Sequence, residues 1–108
     1  MSIEKFSKPM KNDMGKLRYD LLPILPLEQV VKVITHGSCK YADNNWMAVV
    51  SENPDRYYAA ALRHIASWRK NEKADKDSKL PVLAHATCCL LFLLWNDLKL
   101  DSKKKGKE

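Results

Sequence analysis

Residues that build long irregular loops are scarce in this chain, because its 108 residues include three glycines and five prolines. Long low-complexity segments are therefore not expected. The composition, 45% hydrophobic and 30% charged, is typical of one folded domain or of one protomer of a small oligomer. No apolar stretch leads the sequence, since MSIEKFSKPMKND is charged throughout, and this argues against a secretory signal.

Cysteine is also scarce, and its three copies cannot all pair. Cys88 and Cys89 are adjacent in a helical run, where neighbours point about 100° apart and pair poorly. We therefore expect a reduced, cytoplasmic protein. Neither a C-x-x-C nor an H-E-x-x-H pattern is present. His85 and Cys89 share a helix face that His64 could approach, as in a zinc corner, but a buried structural cysteine is the favoured interpretation. No zinc ligand is therefore predicted.

An excess of basic residues gives a formal net charge of +6, which is typical of nucleic-acid binding. Half of this excess lies from Lys99 onward, where five lysines face two acids. The other 98 residues contain 14 basic and 11 acidic side chains. We expect a solvated basic tail over 99–108, which removes most of the support for a nucleic-acid partner but not for a local anion site.

Hydrophobic spacing predicts an all-α fold, a small bundle of about three main helices preceded by an extended N-terminal segment. We expect a flexible segment at 1–14, one helical domain at 15–98 and the basic tail thereafter. A first helix is predicted to begin near Pro26, and Gly37 is predicted to interrupt it, so that CKYADNNW is a helix end or turn. Its buried face is predicted to comprise Leu27, Val30, Val31 and Ile34.

The second predicted helix follows Asn53 and Pro54, which suit a helix start. Its apolar face is predicted to comprise Tyr58, Ala61, Leu62 and Ile65, with Trp68 at the margin. NEKADKDSK is predicted to be a loop. A third helix is predicted from about Leu80 through VLAHATCCLLFLLWNDL.

That third helix is apolar almost all round, from Leu83 to Trp95. The run of 13 residues is shorter than the roughly 20 that a membrane span needs, so no membrane partner is expected. A helix without a polar face must be covered on every side. We therefore predict a homo-oligomer with this helix at its centre.

Several basic and aromatic residues could bind a phosphorylated ligand. The anion-binding candidates are Lys16, Arg18, Lys32, His36, Lys40, Arg56, Arg63 and His64. If KLRYDLLP is extended, Lys16, Arg18 and Asp20 lie on one side, and Leu21 and Leu22 pin the segment across the helices. Tyr41 and Trp46 could stack on a base.

Four motifs in order, GKLRYDLLP, THGSCKYADNNW, RYYAAALRHIASW and DKDSKLPVLAHATCCLLFLL, resemble the phage-type N-terminal domain of dATP/dGTP diphosphohydrolases. The resemblance covers about residues 15–95. This sequence departs from the family pattern at Lys79, where the family has a glycine, and at Val82, where the family has a histidine. It implies purine deoxynucleotide metabolism in an infected bacterial cell. The residues that it indicates are Lys16, Arg18, Asp20, Lys40, Tyr41, Trp46, Arg63, His64, Asp75 and His85.

Three functions are compatible with these residues. The first is a protein that sequesters a nucleotide without turnover, such as a cyclic-nucleotide signal of host defence. The second is a Mg²⁺- or Mn²⁺-dependent dNTP diphosphohydrolase, in which Asp75, with Glu28 or Asp20, holds the metal and His64 or His85 orients water. The third is a basic nucleic-acid adaptor. The small number of carboxylates that could converge favours the first.

Overall fold

The computed structural model describes residues 14–106, and their side chains through residue 102. In that part the chain is all-helical and contains no β-strand, which confirms the predicted fold class with four helices instead of about three. Ala74 and Pro81 form an isolated antiparallel bridge. A 3₁₀ turn at Tyr19–Leu21 precedes α1 (Ile24–Lys40), α2 (Asn45–Glu52), α3 (Asp55–Arg69) and α4 (Val82–Gly106). Most of the segment expected to be flexible at 1–14 lies outside the described residues.

Helix α1 begins two residues before Pro26 and passes through Gly37 without a break. Proline is tolerated in a first turn because its missing N–H has no helical partner there. The predicted interruption at Gly37 is wrong. One glycine inside a helix destabilises it by only about 1 kcal/mol, and burial of Val30 and Val33 offsets that loss. Val33 rather than Val31, which is 51% exposed, completes the buried face.

Helix α2 occupies part of the segment that was predicted to be a turn. The residue before it, Asn44, has a φ of 61°, a left-handed conformation that asparagine tolerates. Eight residues are too few to form a stable helix alone, so tertiary packing must stabilise α2. Val50 is fully buried, and the Trp46 ring stacks on Phe92. Neither contact can be inferred from local sequence.

Helix α3 packs through a different face from the predicted one. Of the predicted face, only Ala61 is buried, whereas Tyr58, Leu62 and Ile65 are 41–57% exposed. The side chains that turn inward recur at i, i+4 and i+7, namely Tyr57, Ala61 and His64. The two stripes lie about 100° apart on the helix. The aromatic cluster around Phe92 receives Tyr57, and this determines which stripe is buried.

Helix α4 is central and contacts all three other helices. Its Ala84, Cys88 and Phe92 form the core with Val30 and Val33 of α1. The helix continues past residue 98, the expected domain boundary, to Gly106. Lys99 donates to Ser51 Oγ at 2.6 Å, which links this part of α4 to α2. Residues 107–108 of the predicted tail lie outside the described residues.

By length and composition, one stretch of α4, Val82–Ser102, could cross a membrane. The expectation that this helix is too short for a span is therefore wrong, because it considered only Leu83–Trp95. About 39% of the stretch is nevertheless buried inside the protein, and core helices of soluble proteins pass the same test. Length alone does not distinguish these two situations.

Candidate functional site

A cavity of about 960 Å³ lies between α1, the start of α2, α3, the loop at residues 70–81 and α4. A volume of this size is sufficient for a nucleotide. We call this space the main cavity. The cations, carboxylates and histidines that line it, three of each, are Lys40, Arg56, Arg63, Asp43, Asp75, Asp77, His36, His64 and His85.

Asp75 organises the loop that forms one wall of the main cavity. Its Oδ2 accepts hydrogen bonds from the backbone N–H of Asp77 at 3.0 Å and of Ser78 at 2.9 Å. Its own N–H donates to the Leu80 carbonyl at 2.8 Å. Burial raises the pKa of Asp75, but hydrogen bonds from Ser78 and Asp77 outweigh it, with the charge of His85 contributing, so the pKa lies below its usual value. The carboxylate is therefore ionised and holds the loop in place.

The backbone of the same loop adopts a left-handed conformation at Lys79, where φ is 65°. Glycine adopts this conformation without a steric penalty, whereas a lysine pays one for its Cβ. The glycine in the family pattern at this position is therefore explained by backbone geometry. The lysine in this chain therefore introduces local backbone strain, which the hydrogen bonds of Asp75 offset.

His64 and His85 form a stacked pair inside the main cavity, with ring centroids 4.8 Å apart and planes inclined by 23°. His85 Nε2 shares a 2.6 Å hydrogen bond with Ser78 Oγ and lies 3.9 Å from Asp75 Oδ2. Burial lowers the pKa of both imidazoles, and the proximity of His85 lowers that of His64 further. Both rings are therefore neutral near pH 7 and can accept a hydrogen bond or a proton.

Asp77 connects the loop to one edge of α1. Its Oδ2 accepts from Lys40 Nζ at 3.0 Å and lies 3.4 Å from His36 Nε2. The hydrogen bond from Lys40 lowers the pKa of Asp77, and the same contact raises the pKa of Lys40. Because α1 continues through Gly37, His36 and Lys40 share an edge at spacing i, i+4. Lys32, one turn earlier, does not line the main cavity.

Trp46 belongs to a helix and to the aromatic core, not to the turn where a base platform was expected. Its ring lies parallel to Phe92 with centroids 4.0 Å apart, and its edge contact with Trp95 has a centroid distance of 4.9 Å. Tyr41 is 67% exposed at the cavity wall, with the Lys40 ammonium 5.6 Å from its ring centroid. Tyr41 therefore has more exposed ring than Trp46 to offer a base.

The structure brings seven of the ten site residues indicated by sequence to the main cavity. These are Lys40, Tyr41, Trp46, Arg63, His64, Asp75 and His85.

The other three site residues, Lys16, Arg18 and Asp20, line a separate depression beside the 3₁₀ turn. The Arg18 guanidinium donates two 2.8 Å hydrogen bonds to the Asp20 carboxylate. Leu21 and Leu22 are 68% and 54% exposed, so they do not pin this segment across the helices as expected. A local ion pair and a 3₁₀ turn replace the expected extended conformation.

Two polar residues of the site, Asp77 and Ser78, were not predicted to contribute. The signal for them was present in D-K-D-S, since aspartate followed by polar residues in a loop favours side-chain acceptance of backbone N–H groups. Sequence alone cannot show that this loop contacts α1 and α4. Lys40 and Asp77 are 37 positions apart, and His85 follows Ser78 by seven.

Among the described side chains, no group of three histidines, cysteines, aspartates or glutamates is arranged to hold a metal ion. Glu28 and Asp20, the expected partners of Asp75 in a Mg²⁺ site, do not line the main cavity. Burial raises the pKa of Cys89 to about 11, and among the described side chains it belongs to no group of three histidines, cysteines or acids that could hold a metal ion. In this arrangement the described residues do not fit a preformed Mg²⁺, Mn²⁺ or Zn²⁺ site.

The fold and cavity define a small all-helical protein with a mixed-charge, nucleotide-sized site. The sequence profile of the family described as dATP/dGTP diphosphohydrolase, N-terminal, matches residues 7–106, so the chain belongs to that family. It is similar to a protein of Salmonella phage PMBT28 named dATP/dGTP diphosphohydrolase, with 31% identity over 86 residues. The match covers 80% of this chain and 29% of the phage protein. No solved structure gives a significant match.

Proposed function

We propose that this protein binds a purine deoxynucleoside phosphate in the main cavity. The observation that carries the proposal is the placement of Arg56 and Arg63, seven residues apart on α3, in a nucleotide-sized cavity with aromatic walls. In the part of the chain that the structure describes, neither arginine takes part in an ion pair. Both guanidinium groups are therefore available for an anionic ligand.

The chemistry of these side chains suits a nucleotide. A guanidinium group presents a planar fork of donors that matches two phosphate oxygens. The exposed ring of Tyr41 can stack on a base, and the neutral His64 and His85 can exchange hydrogen bonds with it. The purine and the deoxyribose are taken from the name of the phage relative.

Calorimetric titration with dATP, dGTP and dCTP tests this proposal. The double variant Arg56→Ala/Arg63→Ala should weaken purine nucleotide binding at least tenfold, since each charge-assisted contact contributes about 1.5 kcal/mol or more. The matched control is Lys32→Ala/Arg69→Ala, which removes two cations from α1 and α3 outside the cavity lining. Equal losses in the two double variants would contradict the cavity as the binding site.

Hydrolysis is the second candidate function, and the name of the phage relative favours it. Attack of water on the α-phosphorus would break the bond to the bridging oxygen and release a deoxynucleoside monophosphate and pyrophosphate. His85 lines the cavity and is neutral, so if its Nε2–H donates to Ser78 Oγ, the other ring nitrogen, Nδ1, could accept the proton that the water loses.

If the protein instead sequesters a nucleotide without turnover, for example a cyclic nucleotide, the bound ligand should remain intact. The protein is incubated with dATP, dGTP or a cyclic dinucleotide, with and without Mg²⁺ or Mn²⁺, and the nucleotides are then separated by chromatography. Full recovery of an intact, tightly bound nucleotide supports sequestration. Catalytic release of monophosphate and pyrophosphate supports hydrolysis and contradicts sequestration.

We also propose that a second copy of the chain covers the outer face of α4. This face carries a stripe of leucines, each 43–59% exposed: Leu83, Leu90, Leu91, Leu94 and Leu98. A contiguous apolar stripe of this kind is uncommon on a monomer in water. The opposite face of α4 packs on His64 of α3 through His85 and buries Asn96, which suits a core helix of an oligomer better than a membrane span.

Light scattering coupled to size exclusion tests the oligomer. Wild type should elute with the mass of a dimer or larger assembly, and Leu90→Glu/Leu94→Glu should elute as a folded monomer. The matched control is Leu62→Glu/Ile65→Glu, which adds two charges to an exposed apolar face of α3 and should leave the mass of the assembly unchanged. A monomeric wild type, or flotation of wild type with neutral phospholipid vesicles that the double variant abolishes, would contradict the proposed oligomer.

A further inference from the structure

We propose that the Asp77 carboxylate occupies a phosphate subsite of the main cavity and that an anionic ligand must displace it. The subsite consists of Lys40 and His36 on one edge of α1. The inference rests on the proposed nucleotide-binding function and assigns Asp77 as a residue that determines which phosphorylated ligands bind. It follows from the contacts of one oxygen atom.

That atom is Oδ2 of Asp77, which lies 3.0 Å from Lys40 Nζ and 3.4 Å from His36 Nε2. An anionic oxygen shared by an ammonium and an imidazole is the arrangement that a terminal phosphate oxygen would make with the same two groups. All three residues line the main cavity. The carboxylate therefore satisfies a site whose geometry equally suits the phosphate of a ligand.

The loop does not need the Asp77 side chain to keep its shape. The Asp75 carboxylate accepts the N–H groups of Asp77 and Ser78, and Asp75 also exchanges backbone hydrogen bonds with Leu80 and Lys79. The side chain of Asp77 is 64% exposed, and that of Lys40 is 50% exposed. Because exposed ion pairs contribute little to stability, the Asp77 carboxylate can rotate into solvent while the backbone stays in place.

Competition of this kind selects for charge. A ligand with a higher total negative charge displaces a carboxylate more readily than a ligand with a lower total charge does. The wild-type protein should therefore favour a nucleoside triphosphate or inorganic pyrophosphate over a nucleoside monophosphate. Without the Asp77 charge, Lys40 and His36 would be open to weaker anions as well, and this preference should diminish.

Calorimetric titration of wild type, Asp77→Asn and Asp43→Asn with dGTP, dGMP and inorganic pyrophosphate tests the inference. Asp43 is a matched control because its carboxylate also lines the main cavity but contacts Ser38 rather than Lys40. Asp77→Asn should bind dGTP and pyrophosphate at least fivefold more tightly than wild type and should reduce the preference for dGTP over dGMP. Asp43→Asn should change affinity less than twofold. Thermal melts establish that each variant is folded, and Asp77→Ser replaces Asp77→Asn if the latter is not.

A double-mutant cycle with Lys40→Met separates a specific competitor from a general effect of negative charge. The gain from Asp77→Asn should vanish when Lys40 is absent. An equal gain with and without Lys40, or unchanged or weaker binding by Asp77→Asn, would overturn the inference while wild-type binding of dGTP leaves the proposed function intact. Failure of wild type and both aspartate variants to bind any of the three ligands would instead reject the proposed function.

Discussion

The N-terminal segment at residues 14–22 and the loop at residues 70–81 are both short, polar and irregular, yet only the loop reaches the main cavity. In the N-terminal segment, Arg18 pairs with Asp20 two positions away, and both side chains are more than half exposed. In the loop, Asp75 and Asp77 contact His85 and Lys40 on two different helices. Charged residues at similar spacing therefore form a site only where the loop backbone is fixed against the helices.

The largest expected difference in stability separates the helical core beside the main cavity from the N-terminal segment. Phe92 is 7% exposed, and the rings of Trp46 and Tyr57 pack on it beside the main cavity. Phe92→Ala should lower the free energy of unfolding by about 3–5 kcal/mol through lost burial and a residual void. Tyr19→Ala, at a ring that is 77% exposed in the N-terminal segment, should change it by less than about 0.5 kcal/mol. Urea denaturation measures the free energy of unfolding of both variants. A similar decrease in the two would show that the N-terminal segment is packed in solution.

The two aspartate-centred arrangements provide the next test. Asp75→Ala leaves two backbone N–H groups of the loop without their acceptor and should lower the free energy of unfolding by about 2 kcal/mol. Asp20→Ala removes an exposed local pair and should destabilise the fold much less than Asp75→Ala does. Thermal melts of the two variants show which substitution lowers the melting temperature more. A larger effect for Asp20→Ala would reverse the roles assigned to the two segments.

Strain at Lys79 predicts a stabilising substitution within the loop. Because φ is 65° at this residue, Lys79→Gly should raise the free energy of unfolding by about 1 kcal/mol. Lys76→Gly is the control, since Lys76 lies in the same loop but its φ is not positive. That change should be neutral or destabilising. Destabilisation by Lys79→Gly would show that the lysine side chain makes a contribution larger than the backbone strain.

The histidine pair predicts a smaller, pH-dependent effect. Burial holds the pKa of His64 and His85 below the value of about 6.5 in an unfolded chain. As pH falls below 6.5, the unfolded chain binds more protons than the folded protein, so stability decreases. The melting temperature should therefore drop between pH 7.5 and 5.5, and His64→Gln/His85→Gln should flatten that slope. Asp75 and Asp77 do not contribute in this window, because their pKa values lie below the usual 3.8. An unchanged slope in the double variant would contradict burial of the pair.

Much of the helical framework could be predicted from sequence, since the apolar periodicity and the prolines near residues 26, 54 and 81 mark three of the four helices. The short α2 could not, because its stability depends on the stacking of Trp46 on Phe92. The buried face of α3 was misassigned because two apolar stripes lie side by side on it, and only the neighbouring helix determines which one is buried. Local sequence does not contain that information.

The site, like the helical framework, could be predicted in part from the sequence. The histidines and the cations of α1 and α3 were identified by residue type and by resemblance to the family, and the structure brings them together. The N-terminal cations were misplaced because strand-like alternation cannot be distinguished from a local Arg18–Asp20 pair in so short a segment. Asp77 was missed because its partner, Lys40, is distant in sequence.

The central claim is that the nucleotide lies in the main cavity and not against the N-terminal segment. Photo-crosslinking with 8-azido-dATP, followed by mass spectrometry of the labelled peptides, tests it directly. The account predicts label on the peptide that contains Tyr41 and Trp46, and loss of that label when excess dATP is present. Competable label confined to the peptide that contains Leu17 and Tyr19, with none on the cavity wall, would contradict it.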